Sequence, residues 1–279
     1  MTLPVLRRPA PRVGAFFDMD KTLIAENSGS LYMRYRYQRG EISGFELLKG
    51  AGAYLQYKLG ILDIRNWTKT MMVQFRGQSE AELEVEAKKW FDELMEQTIY
   101  PEAEALVRKH EAEGHVVAIV SGATKFVVRP LAQRLGIEHL LYTRLEVEDG
   151  CFTGRVIEPI CFEEGKIYWL QQFIEEHGID LAKSWFYTDS VTDLPLLELV
   201  GNPTRVGSVG VHHVQLGASP SSNRKREALT SGRDRRSADG APIDAIPQFN
   251  RRFAVGQLPQ AIGAGSGSTI DDVSRPQPR

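Results

Sequence analysis

From Tyr100 onward the chain alternates short apolar runs with amphipathic stretches, and this alternation constrains its fold more than any other feature. HVVAIVS at 115–121 and KSWFYTD at 183–189 have the length and aromatic or β-branched content of buried strands. PEAEALVRKHEAEG at 101–114, TKFVVRPLAQRLGI at 124–137 and GKIYWLQQFIEEHGI at 165–179 space their apolar residues three and four apart, as helices do. The first of these opens on a proline and ends at Gly114, the usual punctuation of a helix. TDLPLLELVG at 192–201 reads as a short helix, and HLLYTRLEVEDGCFTGRVIEP at 139–159 as a strand and hairpin. Strands separated by helices predict a parallel sheet covered on both faces, with any site at the strands' C-terminal ends.

One further strand stands apart near the start. Val13–Phe17 is short and apolar, and is followed by polar turn residues. Between Asn27 and Ile99 the period becomes helical, as in SLYMRYRYQRG at 30–40 and EAELEVEAKKWFDELMEQ at 80–97, with glycines dividing the region into several helices. From about Gly207 the chain is rich in Gly, Ser, Pro and Arg and contains neither Tyr nor Trp, so it cannot bury enough surface to offset its ordering entropy. The expected fold is therefore α/β. Residues 1–26 and 100–206 form a Rossmann-like parallel sheet core, 27–99 an inserted helical cap, and 207–279 a disordered, atypical tail.

Composition excludes several classes. A formal net charge of -2 over 279 residues points to neither a nucleic-acid binder nor an acidic particle. Two cysteines, Cys151 and Cys161, make no disulfide framework and lack the spacing of a zinc site, which favours a reducing cytoplasmic setting. No apolar run approaches the roughly 18 residues of a membrane span, and Asp18 and Asp20 interrupt the one near the start.

Four polar clusters fall where strands end: Asp18-Met19-Asp20-Lys21-Thr22, Ser121-Gly122-Ala123-Thr124, Lys166, and Asp189-Ser190-Val191-Thr192-Asp193. Each alone has an ordinary explanation, as helix cap, turn, solvated lysine or polar helix face. Together they bring four carboxylates, a hydroxyl, a lysine and helix-start amides to one sheet edge. That set suits phosphoryl transfer. Phosphate monoesters hydrolyse very slowly unaided, and a carboxylate nucleophile divides the reaction into making and breaking an aspartyl-phosphate. Nucleophile and ester are both anionic, which calls for a hard cation such as Mg²⁺ with oxygen ligands.

The order D-x-D-x-T, S-G, K, D-x-x-x-D resembles the haloacid dehalogenase-like hydrolases, and in particular the branch containing phosphoserine phosphatase, over about Val13 to Val206. The resemblance implies Asp18 as nucleophile and Asp20 as general acid/base. It implies Mg²⁺ held by the Asp18 carboxylate, the Asp20 carbonyl and Asp189, with Asp193 acting through water or on Lys166. Thr22 would support the first loop, Ser121 and Gly122 would bind phosphate, and Lys166 would stabilise charge. The letters D-K-T at 20–22 also open the phosphorylation motif of ion pumps, but Leu23-Ile24 follow where the pumps have Gly-Thr. True dehalogenases lack the second Asp. Hydrolysis of a phosphomonoester is the remaining chemistry.

The substrate is less constrained. Phosphoserine phosphatases carry a Glu after the first motif and an Arg in the cap. Here Glu26 lies one position early with Asn27 in its place, and no Arg lies between Arg65 and Arg76. This disfavours phosphoserine. The first cap helix carries Tyr32, Tyr35 and Tyr37 with Arg34, Arg36 and Arg39, either as an ordinary amphipathic face or as a pocket for a bulkier ester. The expected partner is a small phosphorylated metabolite, with no nucleic acid. Phosphoserine phosphatase proper, a phosphotransferase, and a non-catalytic phosphate-binding scaffold are the alternatives.

Overall fold

The computed structural model describes residues 11–59, 61–207 and 210–213. Its strands are β1 (Gly14–Phe17), β2 (Val116–Thr124), β3 (His139–Glu148), β4 (Cys151–Ile157), β5 (Trp185–Thr188), β6 (Asn202–Gly207) and β7 (Gly210–His213). They form one sheet in the order β4-β3-β2-β1-β5-β6-β7. Pairing is parallel from β3 through β6, and antiparallel at β3–β4 and β6–β7. β1 therefore lies at the centre with β2 on one side and β5 on the other. The order reverses there, and the crevice beyond the ends of such strands is where open α/β sheets bind ligands.

All four residues of β1 are buried, and their alternation divides the core. Ala15 and Phe17 face a cluster with Ile119, Leu131 and Leu135, while Phe16 faces Val120, Leu170 and Phe186 on the opposite side. Two fully covered faces explain why these strands read as continuous apolar runs.

Four helices separate β1 from β2: α1 (Ser28–Gln38), α2 (Gly44–Lys58), α3 (Ile64–Met72) and α4 (Glu80–Trp90), with α5 (Pro101–Ala112) leading into β2. The periodicity of 80–97 predicts one unbroken helix. The chain instead passes from α4 into a π-helical turn at Phe91–Met95 and a 3₁₀ turn at Glu96–Thr98. Trp90, Phe91 and Met95, on either side of the shift, all join the buried cluster beneath β1. α6 (Lys125–Leu135), α7 (Glu164–His177) and the short α8 (Leu194–Leu197) complete the fold.

Two expectations change. β2 does not end at Ser121 but continues to Thr124, with a register shift against β3 between Val120 and Thr124. The sheet also does not end at Val206: Gly207 closes β6, and Gly210–His213 pairs back on it. Pairing at a sheet edge uses backbone groups, so a stretch without bulky side chains can still extend a sheet. The rest of the 207–279 tail expectation lies outside the described residues. Among the described residues no helix is long and apolar enough to cross a membrane, and both cysteines are free thiols, with Cys161 buried.

Candidate active site

The site is built where β1, β2 and β5 end. Asp18 follows β1 directly, and its N–H donates to the Tyr187 carbonyl of β5 at 2.9 Å. Lys166 reaches it from the first turn of α7, with Nζ 2.8 Å from Asp18 Oδ1 and 2.8 Å from Asp193 Oδ2. All three residues are buried. A Cβ on Gly165 would lie 1.7 Å from the Ile160 carbonyl oxygen, so only glycine lets α7 start this close to the preceding loop. Glu163, the helix N-cap, has φ +49° and ψ -118°, a backbone setting that costs energy in a residue with a Cβ.

Asp20 points a different way. Its carboxylate accepts from Asn27 Nδ2 at 2.8 Å, and from the Ser28 N–H and Oγ, each at 3.1 Å. The first turn of α1 thus holds the second aspartate, while α7 holds the first. Asn27 also caps α1 by accepting from the Ser30 N–H at 3.0 Å. Thr22 Oγ1 accepts from the Asp189 N–H at 3.1 Å and ties the first loop to the fourth. Thr188 Oγ1 donates to Asp193 Oδ2 at 2.8 Å. Ser121 Oγ accepts from the Ala123 N–H at 3.2 Å, and the Gly122 carbonyl accepts from Thr143 Oγ1 at 2.8 Å.

Of the predicted residues, Asp18, Lys166 and Asp193 are in direct contact, and Thr22 with Asp189 forms a second contact. Ser121 and Gly122 line the end of β2. Glu26 is exposed, and its neighbour Asn27 is the residue that reaches Asp20. Asn27, Ser28, Thr143 and Thr188 carry contacts that motif reading passed over. An Asn directly ahead of a helical period was a visible capping signal; the two threonines had none.

Like charges crowd here. Burial pushes the Asp18 carboxyl up to about 7, with Lys166 opposing and Asp193 adding to the rise. Burial also raises Asp20 to about 6, against the Ser28 hydrogen bonds and with help from Asp189. Burial disfavours the Lys166 ammonium, but Asp18 and Asp193 outweigh it and hold the charge firmly in place. Two lysines, the buried Lys166 and the more exposed Lys21, among four acids still leave negative charge uncompensated, and Asp193 Oδ1 is buried without a hydrogen-bond partner. Oxygen donors in excess, on acids that raise each other's pKa, fit a hard divalent cation. Two clefts of about 540 and 560 Å³ lie elsewhere, between α1 and α4, and no strand-end carboxylate lines either.

Residues 15–198 match the haloacid dehalogenase-like hydrolase family. The chain belongs to that family. The chain is similar to the inhibition of morphological differentiation protein of Streptomyces azureus, at 32% identity over 80% of this chain and 77% of that one. It is also similar to the histidinol-phosphatase of Neisseria meningitidis serogroup C, at 32% identity over 69% of this chain and 89% of that one. A solved phosphoserine phosphatase holding a phospho-aspartyl intermediate analogue superposes with a TM-score of 0.53, at 21% identity, over 70% of this chain and 86% of that one. That last likeness bears on the fold. The sequence resemblance to this family, and to its phosphoserine phosphatase-like branch, holds.

Proposed function

We propose that the chain is a Mg²⁺-dependent phosphomonoester phosphatase that works through an aspartyl-phosphate on Asp18. The observation that carries the reading is the buried Asp18–Lys166–Asp193 chain at the centre of the sheet, with Asp20 held apart from it on α1. Two carboxylates one residue apart, placed in different surroundings, can take different roles.

Asp18 attacks phosphorus, and the ester bond to the leaving oxygen breaks. Asp20, raised toward neutrality, gives that oxygen its proton and then takes one from the water that cleaves the acyl phosphate. Lys166 keeps a fixed positive charge beside the nucleophile and is itself held by Asp193 and, through it, Thr188. Ser121 and Gly122, in the last part of β2, bind phosphate oxygens. The Asp18 and Asp189 carboxylates and the Asp20 carbonyl would hold Mg²⁺, which supplies the charge that lets two anions approach.

The inserted helices act as the cap. Tyr54 of α2 lies with its ring centre 5.9 Å from Lys21 Nζ, beside the nucleophile loop. On α3, Arg65 pairs with Glu163 at 3.4 Å and also with Glu164, and Lys69 pairs with Glu158 at 2.5 Å, so this helix bridges to the loop ahead of Lys166. Such closure excludes water and reads the leaving group. The likeness to a histidinol-phosphatase supports a small phosphorylated metabolite as substrate. The absence of an Arg between Arg65 and Arg76 argues against phosphoserine.

The test is phosphate release from a panel of phosphomonoesters with and without Mg²⁺, beside Asp18→Asn. Mg²⁺-dependent release, lost by about a thousandfold or more in the variant, is expected for a covalent nucleophile. Equal turnover by the variant, or no release from any ester, would overturn the reading.

A further inference from the structure

A second cluster lies at the opposite, N-terminal ends of the central strands. His110 is in the last turn of α5, and His115 directly precedes β2, at the strand's N-terminal end. Between them Glu113 ends the helix and Gly114 turns the chain back with φ +73°. The turn is closed by the Gly114 N–H to the Glu111 carbonyl and by the His115 N–H to the His110 carbonyl, each at 3.0 Å. A left-handed glycine after a helix is a common stop signal. Here it folds His115 onto His110, so a six-residue stretch builds the cluster by itself.

The two Nδ1 atoms lie 2.8 Å apart. Glu113 Oε2 is 3.4 Å from His115 Nδ1 and 4.0 Å from His110 Nδ1. Among the described residues this is the one group of three His, Cys, Asp or Glu whose ligand atoms all lie within 4.8 Å of one another. His110 Nε2 is 2.8 Å from the Tyr187 hydroxyl, which burial keeps protonated by raising its pKa to about 12. In the tautomer that donates Nε2–H to the Tyr187 hydroxyl oxygen, the His110 lone pair sits on Nδ1 and faces His115 and Glu113. Metal-bound histidines are oriented by such a contact on their other nitrogen.

The geometry points to a transition-metal site formed by His110 Nδ1, His115 Nδ1 and the Glu113 carboxylate, suited to Zn²⁺, Ni²⁺ or Cu²⁺. Two imidazoles and one carboxylate are borderline ligands that prefer these ions to Mg²⁺ or Ca²⁺. Ligand bonds of about 2.0–2.2 Å in a tetrahedral site separate donor atoms by roughly 3.3 Å. The Glu113–His115 distance is close to that value, the Glu113–His110 distance must shorten by about 0.7 Å, and the imidazoles need to part by about half an ångström. The ion takes the place of the hydrogen bond between the two Nδ1 atoms, and His115 moves its proton to Nε2. Burial, then His115, lower His110 to about 4, which keeps its ligand form at neutral pH. Glu113 is exposed, so the remaining coordination position opens to solvent. The site shares no ligand with the strand-end aspartates, although Tyr187 touches both, through its hydroxyl here and its carbonyl at Asp18.

Trp185 supplies a reporter, since its ring lies 5.0 Å from His115 and 5.1 Å from His110 by centroids. The experiment titrates the full chain with Zn²⁺ by calorimetry, and with Cu²⁺ by tryptophan fluorescence, both in millimolar Mg²⁺. One equivalent should bind with quenching that disappears in Trp185→Phe. His115→Gln and Glu113→Gln, both at partly accessible positions, should weaken binding tenfold or more and a few-fold respectively. Asp18→Asn should leave it unchanged. No binding above the Mg²⁺ background, equal binding by His115→Gln, or loss of binding in Asp18→Asn would each overturn the assignment.

Discussion

The strand-end core and the outer helices of the insert use the same residue types in opposite ways. Around β1 the side chains are buried on both faces, and even the charged groups Asp18, Lys166 and Asp193 are enclosed. On α3 no residue is buried, and α2 exposes Phe45, Leu48 and Leu55. α1 and the end of α4 belong with the core, through Leu31, Tyr35, Trp90 and Phe91. The insert is therefore rooted at both ends and loose in its middle. The lesson is that the chemistry is held rigidly by the sheet, whereas the part that would choose a substrate rests on a few exposed contacts.

The largest expected break in this contrast is Lys166→Ala. It leaves two carboxylates buried without their ammonium, and losing one partner of a buried pair costs about 3–5 kcal/mol. Chemical denaturation should show the loss, with phosphate release falling alongside it; a shift under 1 kcal/mol would mean that water reaches the site freely.

A paired truncation sharpens the comparison. Leu131→Ala, at a fully buried position, should cost about 2–5 kcal/mol. Leu55→Ala, on the exposed face of α2, should stay within about 0.5 kcal/mol. Equal costs in the two would show that α2 is covered in solution.

Asn27→Ala is a smaller probe of the boundary between the two regions. Loss of the α1 cap should cost about 1 kcal/mol. Asp20 also loses one hydrogen bond to its carboxylate, so its pKa should rise and the pH–rate profile should move upward with it. An unchanged profile would mean that the Ser28 contacts alone set this carboxyl.

The smallest effect concerns pH and the start of β3. Burial, then His177 and Arg12, lower the pKa of His139, with Glu138 and Glu176 opposing. The folded state then binds fewer protons than the unfolded one at mildly acidic pH, so this contribution is present above about 6.5 and fades as pH falls below it. His139→Gln should flatten the drop in melting temperature between pH 7 and pH 5; an identical drop would assign the effect elsewhere.

The sheet could be read from apolar runs such as HVVAIVS because burial on both faces leaves no polar position to blur them. Asp18, Asp20, Lys166 and Asp189 stood out only as a set, because each alone has an ordinary explanation and only their order along the chain joins them. The π-helical turn at Phe91–Met95 could not be read, since the residues there keep the apolar spacing of a regular helix. Nor could the partners of Asp20: a capping signal marks Asn27 as a helix start, but only the folded chain turns that helix toward the aspartate. β7 escaped as well, because backbone pairing leaves little trace in composition.

The amino-acid sequence by itself determined the strand–helix order and the donor set, because hydrophobic period and residue chemistry are local properties. The tertiary structure decided which donors meet. It put Lys166 between Asp18 and Asp193, residues 148 and 27 positions away, and set Tyr187 against His110, 77 positions away. Contacts across such separations depend on sheet register and helix docking, which no single stretch of chain encodes.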